Sequence, residues 1–466
     1  MMKVVGVIGA GAAGLCAARH ISASPCMTPV VWEKASRVGG TWIYTPDVGK
    51  DEHGLPIHSS MYENLKTTIP KELMAFPDFP FQDGEESFLH HKDVLKYLED
   101  YTNHFNLRQY IKYVEEVKPV NSDDGTTGWS VTVKDLEAKT TTTTLCDAII
   151  VCNGHYSVPM TPTIKDIDKF RGRQMHSHEY RTPKPFSGLR VVVLGASASG
   201  LDISLELSTT AKEVLLSHNH PVNIPSELPA NLRQVRGIVA ANEDGFVFGD
   251  GSQAEADVVL YCTGYEYTFP FLSEECGVSV EDNIVKPLYK HLIHTAFPSM
   301  AFIGIPFQIV PFPLFDFQVR FFIALQAGNV APLTHQQMAA VTAGELKQLK
   351  VGGGKARHHH RLGVEGSTLY MRELATLGHF SPEGLQKMKL FKLNFLRMLF
   401  SCLTFRRLRY SVEADGQVRE WRNGREVNTT LELVWLIAVQ LSRLLWRDFW
   451  SVSSFAARTL RNRLGM

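Results

Sequence analysis

Two stretches of this chain share one plan. Val4-Val5-Gly6-Val7-Ile8 runs into Gly9-Ala10-Gly11-Ala12-Ala13-Gly14, and Arg190-Val191-Val192-Val193-Leu194 runs into Gly195-Ala196-Ser197-Ala198-Ser199-Gly200. Each reads as a buried strand, a tight glycine turn and a helix, the helices continuing to about Ser22 and about Leu207. That succession opens a dinucleotide-binding βαβ unit. The turns begin 186 residues apart (195 − 9), far beyond the roughly 20–50-residue period of a solenoid. The expected fold is α/β with two Rossmann-like dinucleotide-binding domains.

In the first turn Gly9 permits the sharp bend, Gly11 lets backbone approach a pyrophosphate, and Gly14 lets helix and strand pack closely. The helix start then offers unpaired N–H groups and the positive end of its dipole to phosphate. Glu33 ends the next strand, Val30-Val31-Trp32, 19 residues after Gly14, where a carboxylate accepts bonds from both ribose hydroxyls. A second glycine pair, Gly39-Gly40 before Thr41-Trp42, allows another close backbone approach and resembles the flavoprotein pattern that closes over FAD. The second turn departs from the ideal, with Ser197 at its central position. Its following strand, Glu213-Val214-Leu215-Leu216, leads to Ser217-His218-Asn219-His220, with no acid. An acid there repels a 2′-phosphate, so its absence favours NADP over NAD. His218, Arg233 and Arg236 are the expected partners for that phosphate.

Composition narrows the function classes. A chain of 466 residues suits two or three domains. Lys+Arg equals Asp+Glu at 48 each, which disfavours a nucleic-acid binder held by a global basic surface. Seven cysteines occur without a C-x-x-C pair, which disfavours a disulfide scaffold, a zinc site or a dithiol oxidoreductase and fits a reducing compartment. Val4–Ala18 is apolar and follows Lys3 as in a secretory signal, but its recurring glycines suit a strand, turn and helix better. No apolar run reaches the roughly 18 residues of a membrane span. His358-His359-His360 follows Gly352–Gly354; a solvated loop is preferred there to a metal site.

Further segments make the chain resemble the flavin-containing monooxygenases, flavoproteins that oxygenate nitrogen and sulfur nucleophiles. Phe170-Arg171-Gly172-Arg173-Gln174-Met175-His176-Ser177-His178-Glu179-Tyr180 is similar to that family's F-x-G-x-x-x-H-x-x-x-Y/F signature; related Baeyer–Villiger enzymes usually end it in Trp. Tyr62-Glu63-Asn64-Leu65-Lys66-Thr67, Pro70-Lys71-Glu72, Phe76–Phe81, Thr263-Gly264-Tyr265 and Phe302-Ile303-Gly304 follow in the family's order. The resemblance implies FAD and NADPH as cofactors and cofactor contacts at Gly9, Gly11, Ala13, Gly14, Glu33, Gly40, Thr41, Trp42, Asn64, Thr67, Gly195, Ser197, Ser199, Gly200, His218 and Gln318. It also implies hydride transfer from NADPH to FAD, O2 uptake as a C4a-hydroperoxyflavin, and oxygen transfer to an amine or thioether. His176 is read as a histidine packing two domains together, with Gly172 supplying a bend. One departure falls near the chemistry: the family commonly has Thr-Asn with Asn near flavin N5, and here the pair is Thr67-Thr68. A single hydroxyl replaces an amide that both donates and accepts, so Thr68 is the expected catalytic departure and peroxide leakage its expected result.

The resemblance divides the chain into residues 1–165 and 269–384 for FAD, 166–268 for NADP, and a tail over 385–466. Pro159, Pro162, Pro183 and Pro185 mark the crossing between the first two. The tail has 15 Lys/Arg against 6 Asp/Glu, and Leu390–Leu408 and Leu431–Phe449 read as basic amphipathic helices. They pack on the FAD domain, on a second subunit in a homo-oligomer, or on a membrane surface. The location expected is the cytoplasm or the cytosolic face of an internal membrane. Two alternatives stand beside the oxygenase: a Baeyer–Villiger-type monooxygenase or NADPH oxidase, and a non-catalytic nucleotide-binding or membrane-associated protein.

Overall fold

The computed structural model describes residues 2–429, apart from 52–53, 85, 113–115, 122–126, 136–139, 222, 332 and 414, together with 432, 434 and 438. The apolar start folds as β1 (Lys3–Ile8) and α1 (Ala12–Ser22). With β2 (Met27–Trp32), β3 (Ile111–Lys112), β4 (Ala148–Val151) and three late strands it builds a seven-stranded sheet. The late strands are β10 (Leu288–Tyr289), β11 (Ile293–His294) and β12 (Met300–Phe302), and the order is β10-β11-β12-β4-β1-β2-β3. Strands β12 to β3 run parallel, while β10 and β11 are antiparallel at one edge. Pro29 lies in the half of β2 whose outer side has no strand, because β3 pairs only Val31 and Trp32; a residue without an N–H is tolerated there.

The second sheet is wholly parallel, in the order β8-β7-β6-β9-β5. Its strands are β5 (Arg173–His176), β6 (Arg190–Leu194), β7 (Glu213–His218), β8 (Leu232–Arg236) and β9 (Val258–Tyr261), and α2 (Ala198–Leu207) follows β6. Parallel strands are buried on both faces, which explains runs such as Arg190–Leu194. One face packs under α2 with Val193, Ile203 and Leu216, the other under a hairpin bearing Phe246 and Phe248. The proline-rich crossing contributes Val158–Pro159, which pairs antiparallel with Tyr265–Glu266 where the chain returns. Both passages between the sheets therefore run side by side.

The expected hairpin around Thr126–Thr144 is present as Thr127–Asp135 against Thr140–Cys146, with Glu116–Asn121 as a third strand. Beyond the sheets, α3 (Pro311–Gln326), α4 (Gly363–Leu377) and α5 (Met388–Phe400) cover the first one. The expected helix over Leu390–Leu408 ends at Phe400. After a turn the chain forms an antiparallel three-stranded sheet, β13 (Leu408–Val412), β14 (Val418–Arg422) and β15 (Arg425–Val427). The reason is local: Leu408 and Tyr410 are buried while Arg409 between them is exposed, the period of a strand. Leu390, Phe391, Phe405, Leu408 and Tyr410 join the hydrophobic core under the first sheet, so this part of the tail packs on that unit. Most of Leu431–Phe449 lies outside the described residues. Among the described residues no helix is long and apolar enough to cross a membrane.

Candidate functional site

The two glycine turns are near copies in space. Gly9 and Gly195 have φ of +106° and +110°, a region open chiefly to glycine. A Cβ on Gly9 would lie 2.6 Å from the Cys152 carbonyl oxygen, and one on Gly195 2.4 Å from that of Cys262. On Gly14 or on Gly200 a Cβ would lie 1.8 Å from the oxygen of Gly9 or Gly195. The helices thus start against the strand ends with no room for a methyl group. The first intrahelical bonds are Leu15 N to Gly11 O and Leu201 N to Ser197 O. The amides of Ala12, Ala13 and Gly14, and of Ala198, Ser199 and Gly200, precede them and are the donors a helix start presents to an anion.

Ser197 fits where the pattern has glycine. Its φ and ψ, −79° and −169°, nearly equal the −75° and −173° of Gly11, so the position never required a left-handed residue. The tight position is Gly40, not Gly11: a Cβ on Gly40 would stand 2.9 Å from the Gly11 Cα, whereas one on Gly11 would meet the Gly40 Cα at an ordinary 3.4 Å. The Gly39-Gly40 loop therefore presses its backbone on the first cradle, held by Gly39 N donating to Ala10 O at 3.1 Å. Thr41 bonds Ser60 (2.8 Å) and Trp42 packs edge-on against Phe312. Glu33 is buried at the end of β2. Its Oε2 accepts from Ala10 N (2.6 Å) and its Oε1 from Ala35 N (2.9 Å), fixing the carboxylate beside the turn while each oxygen keeps a lone pair for a ribose hydroxyl. These residues fit an ADP-bearing cofactor.

The second seat treats its expected phosphate partners unequally. His218 is buried; its Nε2 lies 2.9 Å from Gln234 Oε1 and its Nδ1 accepts from His220 N. Both ring nitrogens are committed, and burial lowers its pKa, so His218 orients the strand end instead of offering a cationic ring. Arg233 is paired with Glu213 (3.0 Å). Arg236 is exposed, level with His218 on the neighbouring strand, and uses one N–H on His220 O. Ser197 and Ser199 are exposed at the start of α2.

Three expected cofactor contacts make internal hydrogen bonds. Asn64 is exposed and donates to Glu206 Oε1 on α2 (2.7 Å). Gln318, fully buried in α3, accepts from Gly304 N and donates to Tyr370 OH, both at 2.9 Å, and so ties the end of β12 to α4. Thr67 is buried and exchanges bonds with Leu89 through its N–H (2.8 Å) and its hydroxyl (3.1 Å). Their polar groups serve internal contacts that no sequence pattern announces. Thr68 is half-buried, and its carbonyl accepts from Asn394 Nδ2 at 2.8 Å.

The signature segment packs largely within the second unit and meets the first at its end, where the Tyr180 ring lies 5.5 Å from that of Tyr62. Phe170 is buried against Phe246; His176 is buried at the end of β5 with its ring 5.2 Å from Tyr265; Tyr180 donates to Glu206 Oε2 at 2.7 Å. Desolvation pushes the His176 pKa down to about 4, so the ring is neutral near pH 7. Gly172 is demanded by close approach, not by a bend: a Cβ would lie 2.6 Å from Asp257 O and 2.3 Å from the Phe170 ring.

The loop at 358–360 also differs from expectation, since His359 and His360 are buried against His291. Val285 N–H donates to His360 Nε2 (2.9 Å), so a neutral His360 carries its proton on Nδ1 and donates it to His291 Nδ1 (3.0 Å). A metal held by both Nδ1 atoms needs two lone pairs where this arrangement leaves one. The cluster is a packed, neutral hydrogen-bonded unit.

The profile of the flavin-binding monooxygenase-like family matches residues 2–231 and 221–392. The flavin-containing monooxygenase FMO GS-OX5 of Arabidopsis thaliana is 40% identical over 378 residues, 77% of this chain and 81% of that protein. The structure of S-allyl-L-cysteine S-oxygenase from Allium sativum superposes with a TM-score of 0.80 at 35% identity, covering 87% of this chain and 95% of the other. Tmm from Pelagibacter sp. strain HTCC7211 gives 0.77 at 25% identity, covering 89% and 96%. On the breadth of that profile and the identity to these relatives, the chain belongs to the flavin-binding monooxygenases and is an oxidoreductase of FAD and NADPH.

Proposed function

We propose that this protein is an NADPH- and O2-dependent oxygenase that places one oxygen atom on a soft nucleophile, thioether sulfur first and amine nitrogen second. The observation that carries the reading is the pair of glycine cradles, one backed by the buried Glu33 and the other without an acid at its strand end. The thioether preference is supported by the likeness to a protein named as an S-oxygenase of S-allyl-L-cysteine. FAD, when bound, supplies the oxygen-activating chemistry. In this reading residues 1–165 and 269–384 hold FAD and residues 166–268 hold NADPH. Glu33 fixes the adenosine ribose, and the amides at the starts of α1 and α2 neutralise the two pyrophosphates. Ser197 and Ser199 add hydroxyl donors to the second. His176 and Tyr265 pack the seam and exclude water from it.

The overall reaction balances as NADPH + H⁺ + O2 + R–S–R′ giving NADP⁺ + H2O + R–S(O)–R′. The test is anaerobic addition of NADPH to the yellow holoenzyme, then air and a thioether such as an S-alkyl cysteine. Bleaching followed by a sulfoxide 16 mass units heavier is expected. Protein that binds both nucleotides without bleaching refutes the reading. A second reading, an NADPH oxidase that releases hydrogen peroxide, is favoured by Thr68 standing where the family pattern has Asn. The ratio of peroxide to sulfoxide separates the two.

A further inference from the structure

A guanidinium from the C-terminal segment touches both nucleotide units at once. Arg406 lies in the turn Phe405–Arg407 after α5. Its Nη1 is 2.5 Å from Asp202 Oδ1 on α2, the helix that opens the second cradle. Its Nε donates to Thr67 O (3.1 Å) and its Nη2 to Lys66 O (3.2 Å). Asn394, on α5, holds the next carbonyl, that of Thr68. Three consecutive carbonyls of one loop are thus fixed by C-terminal side chains. The same loop meets α2 directly, through Tyr62 OH donating to Asp202 Oδ2 and Asn64 to Glu206. Cys402 N also donates to Ser226 Oγ (2.9 Å), in the second unit.

Physical consequences follow from this geometry. Fixing a carbonyl fixes its peptide plane, and with it the direction of the Thr67 and Thr68 side chains. A planar guanidinium with several N–H donors can hold a carboxylate and two carbonyls together; a lysine, a point donor, cannot do so with the same geometry. Asp202 and Glu206 stand four apart on one helix, and like charges at that spacing repel. The cation beside them offsets negative charge close to the start of α2, where an anionic dinucleotide is to bind.

We propose that Arg406 is a positioning residue: it clamps the Lys66–Thr68 loop of the flavin unit to α2 of the coenzyme unit, so that the loop and the coenzyme seat hold one relative geometry. The inference rests on the oxygenase reading above for its catalytic consequence, but the clamp itself is measurable without turnover. The full-length holoenzyme is compared with Arg406→Lys and Arg406→Met. Flavin content is expected to stay at the wild-type level. The dissociation constant of NADP⁺ for the oxidised protein, read from flavin fluorescence, is expected to rise about tenfold in Arg406→Met, within the usual range of coupling between sites. Backbone amides of residues 62–69 are expected to exchange faster with deuterium, and the share of NADPH ending as hydrogen peroxide to rise severalfold. Arg406→Lys, which keeps the charge at Asp202, is expected to recover NADP⁺ affinity more than amide protection. If Arg406→Met does not fold, the lysine variant alone decides through the amide exchange. Unchanged exchange over 62–69 together with unchanged NADP⁺ affinity overturns the clamp. A wild type that fails to bleach with NADPH overturns the oxygenase reading and leaves the exchange and binding results to judge the clamp.

Discussion

A methyl group at position 14 has no room. In Gly14→Ala its carbon would lie 1.8 Å from the Gly9 carbonyl oxygen, where real contacts begin at 3.0 Å, so α1 and the turn must part by about 1.2 Å. Both colliding groups belong to backbone, and no rotamer change relieves them. Overpacking of this kind costs about 3 kcal/mol, and the Ala10–Glu33 bond of 2.6 Å lies directly beside the movement. A loss of that size is roughly a hundredfold in affinity. The assay is the ratio of flavin to protein absorbance after purification, with Gly200→Ala as its mirror. The overlap with Gly195 O there is also 1.8 Å, but in the other unit. Gly14→Ala is expected to emerge nearly colourless. Gly200→Ala is expected to remain yellow yet resist bleaching by NADPH. A yellow Gly14→Ala at the wild-type ratio, or a colourless Gly200→Ala beside it, would refute the assignment of the two cradles.

Glu420→Ala is expected to destabilise the C-terminal sheet by about 2 kcal/mol, because Arg397 is fully buried and takes Glu420 through Nε and Nη2 at 3.0 and 2.6 Å, while Glu432 Oε2 still pairs with Nη2 at 2.8 Å. Adding Arg397→Met should recover most of the loss in urea unfolding, and a double variant as weak as the single contradicts the account. Acidification should destabilise the fold: desolvation pushes His91, His155, His176 and His294 down to about 4 and His291 to about 3. These rings are neutral in the folded chain, while unfolded histidines titrate near 6.5. Between those values the unfolded state binds more protons, so stability falls as pH falls. The loss grows as pH falls below about 6.5, opposed by Glu72 and Glu206, whose pKa values burial raises. Denaturant midpoints equal at pH 7.5 and 5.5 would contradict this. Thr68→Asn is expected to lower the peroxide released per NADPH consumed, and an unchanged ratio removes Thr68 from the chemistry.

The cradles were legible in the sequence because their requirement is local and steric. A position where a Cβ would meet a backbone oxygen admits only glycine, and Gly9, Gly14, Gly195 and Gly200 all stand at such positions. Strands buried on both faces likewise announce themselves as apolar runs. What stayed hidden depends on partners far apart along the chain. Arg406 reads as one more basic residue of an amphipathic tail until Lys66, Thr67 and Asp202 are beside it. Asn64 and Gln318 carry the donors and acceptors a cofactor needs, yet Glu206, Gly304 and Tyr370 engage them. The turn from α5 to β13 was masked because Leu390–Leu408 is apolar and basic throughout, and only burial distinguishes its last residues as a strand. The histidine run at 358–360 read as solvent-facing because His291, its packing partner, lies 69 residues from His360.

The paired passages Val158–Pro159 and Tyr265–Glu266 have a consequence for how such a chain can be rebuilt. Entry and exit are hydrogen-bonded neighbours, with Met160 N reaching Gly264 O at 2.9 Å, while β4 and β12, which flank the excursion, pair directly with one another. The intervening lobe is a cassette spliced into a closed frame. A short reverse turn between those two ends would let the frame shut without it, and a foreign module with equally close termini could be docked in its place.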